Sequence, residues 1–111
     1  MPHDDRLPLE QMLDAARRLS RLARERGRAT FDDDDVLRLA MLQLIQRLGE
    51  SASRLSADFR FAHPELPWAE MIGLRNRIVH SYDDLDPDII WHVASADVEP
   101  VIAALERVLE R

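Results

Sequence analysis

Apolar residues recur along the chain at intervals of three and four positions, which is the period of an amphipathic α-helix. The pattern predicts a first helix from about Asp5 to Arg26 and a second from about Asp33 to Ala57. Gly27 stands where the first helix would end. The four aspartates at 32–35 would cap and begin the second helix, where carboxylates meet the positive end of the helix dipole. The chain has neither a long run of alternating apolar and polar residues nor an Asn-Gly or Asp-Gly turn, so no β-hairpin is predicted.

The second half of the chain carries three more predicted helices. Residues 59–67 contain two prolines and are predicted to form a loop. A helix then runs from 67 or 68 to about 83, a short one from 86 to about 94, and a last one from 98 to 110. Asp97 is expected to cap the last helix, with Pro100 tolerated in its first turn. Short connections between amphipathic helices predict an all-α, up-and-down bundle with a four-helix core and one short extra helix.

The composition places residues 1–111 in a single ordered domain. Hydrophobic residues make up 46% of the chain and charged residues 32%, which is enough apolar surface for one core. The chain contains no Cys, which excludes disulfides and thiolate metal sites, and its three glycines are too scattered for a phosphate-binding loop. No apolar stretch is long enough to cross a membrane and the N-terminus has no signal-peptide pattern, so a cytoplasmic protein is expected.

The charge balance limits how the chain can bind nucleic acid. A net charge of -6 argues against broad, sequence-blind binding, because such binding relies on basic side chains that neutralise phosphates. All 15 basic residues are Arg, and each can bind a phosphate through two nitrogens. Codon bias of the source genome would explain the same composition. Any contact with nucleic acid is therefore expected to be local.

Residues 74–82, with the sequence LRNRIVHSY, include the only Asn and the only Tyr of the chain. An Arg five residues before a His carries little weight alone, since roughly 0.5 such pairs are expected by chance. On a helical wheel of about 100° per residue, Arg75 lies in the middle of an apolar stripe that also contains Ile78 and Tyr82. A charge there needs a partner or an opening to solvent. A structural Arg paired with a carboxylate would satisfy this requirement equally well.

His80 lies about 140° from Arg75 on the wheel, on an edge shared with Gly73, Asn76 and Arg77. Asn76 can hydrogen-bond to His80 one turn later and fix its ring, and Gly73 would let another helix or a ligand approach closely. A lone His on a helix edge is usually structural, but these neighbours favour a site. For Arg75 and His80 to act on one spot, the Arg side chain must bend, the helix must be distorted, or another chain must complete the cleft.

The segment RNRIVHSY resembles the R-N-x-x-x-H-x-Y motif of HEPN-domain toxins of the HepT type. The resemblance extends over most of the chain and includes the lead-in HPELPW at 63–68. It implies a HEPN-like fold, a homodimer with the motif near the shared interface, and a type VII toxin–antitoxin system. The implied antitoxin is a MntA-type nucleotidyltransferase, which could form a larger assembly with the toxin. The resemblance also implies that the antitoxin transfers AMP to Tyr82, which the spacing alone does not indicate.

The residues of the motif can support metal-independent cleavage of RNA, either tRNA or mRNA. A 2′-hydroxyl would attack the adjacent phosphorus, with His80 taking or giving a proton and Arg75 stabilising the phosphoryl oxygens. Asn76 and Arg77 would support these two residues by positioning His80 or the phosphate. No metal or other cofactor is expected, because the acidic stretch at 83–88 lacks the Gly and the distal Glu of a calcium loop.

Two questions stay open at the level of the sequence. The second acid or base could be water or the His80 of a partner chain, since His63 and His92 are interpreted as structural. The alternative function is a HEPN-like module that binds nucleotide or RNA, or docks a nucleotidyltransferase, without cutting. The acidic net charge favours this alternative, whereas the presence of Arg75, Asn76, His80 and Tyr82 together favours the nuclease. A purely structural helical protein is the third possibility.

Overall fold

The computed structural model describes residues 4–111, with Tyr82 described by its backbone alone. The α-helices are α1 (Arg6–Asp33), α2 (Asp35–Ser53), α3 (Ala57–Ala62), α4 (Trp68–Ser81), α5 (Pro87–His92) and α6 (Val98–Leu109). A 3-10 turn (Tyr82–Asp84) follows α4, and a π-helical turn (Val93–Asp97) joins α5 to α6. The described part of the chain contains no strand, and the predicted all-α fold is confirmed.

The four long helices pack in the order α4, α2, α1, α6. Helix α1 packs against both α2 and α6, and α2 packs against α4. Arg17 of α1 pairs with Glu106 of α6, and Glu10, nearer the start of α1, pairs with Arg111 beyond the end of α6, so these two helices are antiparallel. The fully buried side chains of the core come mainly from α1 and α2. Helix α4 has one face on α2, and an apolar depression lies between its first turns and the start of α6.

Helix α1 consists of two helical segments that meet at Gly27, and the first segment ends where the sequence pattern predicts. Gly27 has φ 79° and ψ 165°, a non-helical backbone conformation that favours glycine. The chain resumes helical geometry at Arg28, whose guanidinium bonds to Asp32 and to Asp88 of α5. These hydrogen bonds, above all the one to Asp88, raise the pKa of Arg28. Gly27 therefore produces a kink, and the ion pairs of Arg28 join the kink to α5.

The start of α2 agrees with the prediction and its end does not. Asp34 caps α2, because its side chain accepts a hydrogen bond of 3.1 Å from the backbone N–H of Leu37. The predicted end at Ala57 and the predicted loop over 59–67 are wrong, since α2 ends at Ser53 and residues 57–62 form α3. Ser56 caps α3 by accepting from the N–H of Phe59 at 3.1 Å. This local cap begins a new helix where the apolar period suggested a continuation.

The predicted cap at Asp97 is also wrong. Asp97 has helical backbone angles and makes no cap hydrogen bond, because the π-helical turn connects α5 to α6 without a break. Pro100 has no N–H to donate to the carbonyl of Ala96, and a π-helical turn accommodates such a disruption. The carboxylate of Asp97 pairs with His92 at 3.1 Å. None of the helices within residues 4–111 has both the length and the apolar character needed to cross a membrane.

Candidate functional site

An aromatic cluster holds the start of α4. The indole Nε1 of Trp68 donates to the backbone carbonyl of His63 at 2.9 Å, and the edge of its ring contacts Phe59. The His63 ring stacks on Phe59 with ring centres 4.3 Å apart, and its Nδ1 lies 3.3 Å from Glu65. His63 thus has the surroundings of a structural residue. The cluster fixes the register of the helix whose other end carries the motif.

Helix α4 makes its closest approach to α2 at Gly49. A Cβ atom built on Gly49 would lie 2.4 Å from the Cβ of Arg75 and 2.6 Å from the carbonyl oxygen of Met71. Real Cβ atoms essentially never come so close, so the crossing requires a glycine at this position. The close approach expected at Gly73 is not made within the chain, since nothing lies within 4 Å of a Cβ built there. Gly73 is an exposed position on the open side of α4.

Arg75 extends from this crossing towards solvent. Its side chain is 33% exposed, and its Nε is buried with no hydrogen-bond partner among the residues that the structure describes. Nη1 donates to Oδ1 of Asn76 at 2.9 Å. Oε1 of Glu50, on α2, lies 3.9 Å from Nε. The charge on the apolar stripe therefore has both a carboxylate nearby and an opening to solvent.

His80 lies on the exposed edge of α4, where a shallow depression of about 390 Å³ surrounds it. We call this surface the His80 depression; it is lined by Asn76, Arg77, His80, Ser81 and Asp84. The wheel placed Asn76, Arg77 and His80 on one edge, and the structure brings them together there. The expected hydrogen bond between Asn76 and His80 is not found in the described part of the chain, because the amide oxygen of Asn76 accepts from Arg75 instead.

Asn76 connects the two principal candidates. It lines the His80 depression and accepts a hydrogen bond from the guanidinium of Arg75, whose own side chain is not among the lining residues. The edge combines an imidazole, two guanidinium groups and an amide, which together can bind a phosphate and move a proton. Within residues 4–111, no three His, Asp or Glu side chains are grouped so that they could hold a metal ion.

Helix α4 ends at Ser81, before the predicted end near 83. Tyr82 begins the 3-10 turn, so a wheel angle based on α-helical geometry does not apply to it. Its backbone lies between Ser81 and Asp84, two residues that line the His80 depression. The Tyr82 side chain lies outside the described residues, and its modification stays a prediction.

Three residues of α2 contribute to the site and were missed by the sequence analysis. Gly49 sets the helix crossing, Glu50 faces Arg75, and Gln46 donates through Nε2 to Oε1 of Glu50 at 3.1 Å. The only signal was Gly49 itself. A glycine inside a helical pattern costs about 1 kcal/mol relative to Ala, and so indicates a packing reason. Nothing in the sequence connects that glycine with Arg75.

Comparison with known proteins points to one family. The family model described as "Ribonuclease HepT-like" matches residues 12–108. A protein of Methanocaldococcus jannaschii named "Putative RNase" is 32% identical over 76 residues, which cover 68% of this chain and 70% of the relative. A "Probable ribonuclease HepT" of Thermococcus cleftensis is 26% identical over 99 residues, which cover 89% and 90% of the two chains. No solved structure gives a significant match. The matched family span includes the whole of the His80 depression.

Proposed function

The chain belongs to the ribonuclease HepT-like family, and we propose that it is a metal-independent RNA endonuclease acting as the toxin of a type VII toxin–antitoxin system. The observation that carries this proposal is the grouping of Asn76, Arg77 and His80 on one exposed edge, with Arg75 bonded to Asn76. An imidazole, which can accept or give a proton, stands there beside cations suited to phosphate. These are the groups that phosphodiester cleavage by a 2′-hydroxyl requires.

In the proposed reaction, the bond from the RNA O2′ to phosphorus forms while the bond from phosphorus to O5′ breaks. A base accepts the proton of the 2′-hydroxyl, and an acid gives a proton to the departing O5′. His80 serves as one of these two groups. Arg75 stabilises the charge that develops on the phosphoryl oxygens, Asn76 orients Arg75, and Arg77 adds a second cation. The products are a 2′,3′-cyclic phosphate end and a 5′-hydroxyl end.

A homodimer would supply the second acid or base as the His80 of the partner subunit. Exposed apolar side chains beside the site support this arrangement: Leu39 is 53% exposed and Val79 is 49% exposed. Both line a shallow depression between α2 and α4. Exposed apolar groups next to a polar site are typical of protein–protein contacts. The dimer predicts a molar mass in solution of twice the 12.8 kDa of one chain, whereas a monomer would leave the second role to water.

Incubation of the purified chain with bulk bacterial tRNA, and separately with mRNA, tests the reaction. We expect cleavage in the presence of EDTA and ends that carry a 2′,3′-cyclic phosphate and a 5′-hydroxyl. We also expect growth arrest when the chain is induced alone in a bacterial host. Mapping the ends identifies the RNA that is cut. Ends with a 5′-phosphate would contradict the mechanism, and intact RNA with normal growth would contradict the function.

We infer that a MntA-type nucleotidyltransferase silences the chain by transferring AMP from ATP to the Tyr82 hydroxyl, with release of pyrophosphate. Position 82 lies between Ser81 and Asp84, which line the His80 depression, so an anionic AMP group there would compete with RNA phosphate for Arg75. Tyr82→Phe should keep the cleavage activity but neither gain the mass of AMP nor be silenced by the partner. Intact-mass spectrometry after incubation with ATP and the partner measures the labelling. Ser81→Ala, the control for the neighbouring hydroxyl, should be labelled like the wild type; labelling of Tyr82→Phe would refute the assignment.

The alternative function is a module that binds RNA or nucleotide, or docks a nucleotidyltransferase, without cutting. The net charge of -6 favours it, because an acidic surface repels RNA outside a local contact. A module that only binds has no need of an imidazole at position 80. RNA binding without cleavage, equal in the wild type and in His80→Ala, is the result that would select this alternative.

A further inference from the structure

Glu50 is the carboxylate that approaches Arg75 from the neighbouring helix. Its Oε1 lies 3.9 Å from Nε of Arg75 and accepts a hydrogen bond of 3.1 Å from Nε2 of Gln46. Gln46 and Glu50 are one turn apart on α2, so the amide restrains the carboxylate. A series of polar contacts therefore runs from Gln46 through Glu50 and Arg75 to Asn76, at the border of the His80 depression.

We propose that Glu50 is a positioning residue, which holds the Nε edge of Arg75 so that the terminal guanidinium nitrogens face the substrate phosphate. The proposal rests on the proposed function, in which Arg75 stabilises the cleaved phosphate. A distance of 3.9 Å is short enough for charge attraction but too long for a hydrogen bond. Glu50 therefore orients the guanidinium without occupying its donors.

The terminal nitrogens of Arg75 keep donors for an anion. Nη1 bonds to Asn76, and no bond from Nη2 is found among the described residues. A guanidinium has five N–H donors, and its two terminal nitrogens match the two oxygens of a phosphate. With Nε beside Glu50 and Nη1 bonded to Asn76, the described residues leave the donors of Nη2 for a ligand. A phosphate-binding Arg needs some of its nitrogens held by the protein and others left to donate to the ligand.

The backbone of α2 supports the same arrangement. Glu50 directly follows Gly49, whose missing side chain lets the Cβ of Arg75 approach the α2 backbone. The start of the Arg75 side chain is therefore held at a fixed distance from the carboxylate. The buried Nε has no hydrogen-bond partner among residues 4–111, and an unbonded buried donor is unfavourable. The nearby negative charge offsets part of this cost and favours the observed orientation.

A purely structural role for the pair would have a small effect. The side chains of Glu50 and Arg75 are 34% and 33% exposed. Ion pairs near the surface contribute little to stability. Loss of the Glu50 charge should therefore leave folding nearly unchanged. Any large effect of that change must then act through the orientation of Arg75.

Glu50→Gln tests the proposal, because it keeps the size of the side chain and removes its charge. We expect kcat for cleavage of bulk tRNA to fall by about 10- to 100-fold, as misplacement of a catalytic group does. KM should stay the same or fall, since removal of a negative charge beside Arg75 favours the binding of an anion. The matched control is Asp14→Asn, which removes another carboxylate from the polar depression that Glu50 lines and should keep wild-type kinetics.

A second measurement is independent of activity. The Nε–Hε signal of Arg75 in a ¹⁵N NMR spectrum, assigned by its loss in Arg75→Lys, reports how firmly the guanidinium is held. We expect slow exchange of Hε with solvent in the wild type and in Asp14→Asn. In Glu50→Gln we expect exchange about 5-fold faster, because the charge attraction of a near-surface ion pair no longer restrains the guanidinium.

The two measurements separate the possible failures. Equal Hε exchange in the wild type and Glu50→Gln overturns the positioning role, as does an unchanged kcat. A fall in kcat together with a higher KM and a lower unfolding temperature also overturns it, because that combination indicates general loosening of the fold. If the wild type cleaves no RNA, the proposed function fails, and the exchange measurement alone still decides whether Glu50 restrains Arg75.

Discussion

Replacing Gly49 with valine is expected to destabilise the chain by about 1–3 kcal/mol or more and to abolish RNA cleavage. The first carbon of any side chain at this position would lie 2.4 Å from the Cβ of Arg75 and 2.6 Å from the carbonyl of Met71. Neither contact involves the end of a flexible side chain that could swing aside. Helix α4 must therefore move away from α2, and Arg75 moves with it. The same substitution thus weakens the core and displaces a catalytic group.

Alanine substitutions at two helical glycines isolate this effect. Gly→Ala inside a helix usually stabilises by about 0.5–1 kcal/mol, because Ala has the higher helix propensity. Gly73→Ala should show this gain, since nothing lies within 4 Å of the added carbon. Gly49→Ala should instead destabilise, because its added carbon meets α4. Urea unfolding followed by circular dichroism measures both, and a gain in stability for Gly49→Ala would show that the two helices can separate at little cost.

The second large effect concerns catalysis. His80→Ala should lower the rate of RNA cleavage by about 10²- to 10⁴-fold, which is the usual contribution of a general acid or base. Arg75→Ala should lower it by about 10²- to 10³-fold, as the loss of one group that stabilises developing charge does. His80 is exposed, so its removal should leave the helical content and the unfolding temperature unchanged. Both variants should also relieve the growth arrest of a bacterial host.

His92→Ala is the matched control for His80→Ala. His92 is also an exposed histidine, but it lies on α5 and pairs with Asp97. Its replacement should keep the wild-type cleavage rate and toxicity. Initial rates with tRNA, at equal soluble protein concentration, give the comparison. Growth arrest with all of these variants would mean that the chain is toxic by a route that does not use the motif.

The bundle was largely predictable because helix formation depends on neighbouring residues. The apolar period located the four long helices, and the short side chains of Asp34 and Asp86 cap α2 and α5 as expected. The predicted helix boundaries were wrong where the contacts of a residue, and not its type alone, decide whether a helix starts or ends. Ser56 caps a new helix, α3, which extends into the segment interpreted as a loop. Asp97 lies within a continuous helical path, because the chain passes Pro100 through a π-helical turn instead of breaking.

The candidate site also has one part that the sequence predicted and one part that it did not. Asn76, Arg77 and His80 are within two turns of one helix, so their common edge follows from helical geometry alone. The sequence by itself therefore determined the fold class, the motif helix and the grouping of Asn76, Arg77 and His80. The tertiary structure alone decided the environment of Arg75, because its contacts with Gly49 and Glu50 depend on where α2 crosses α4. That crossing is set by side-chain packing between residues far apart in the chain, which no local period records.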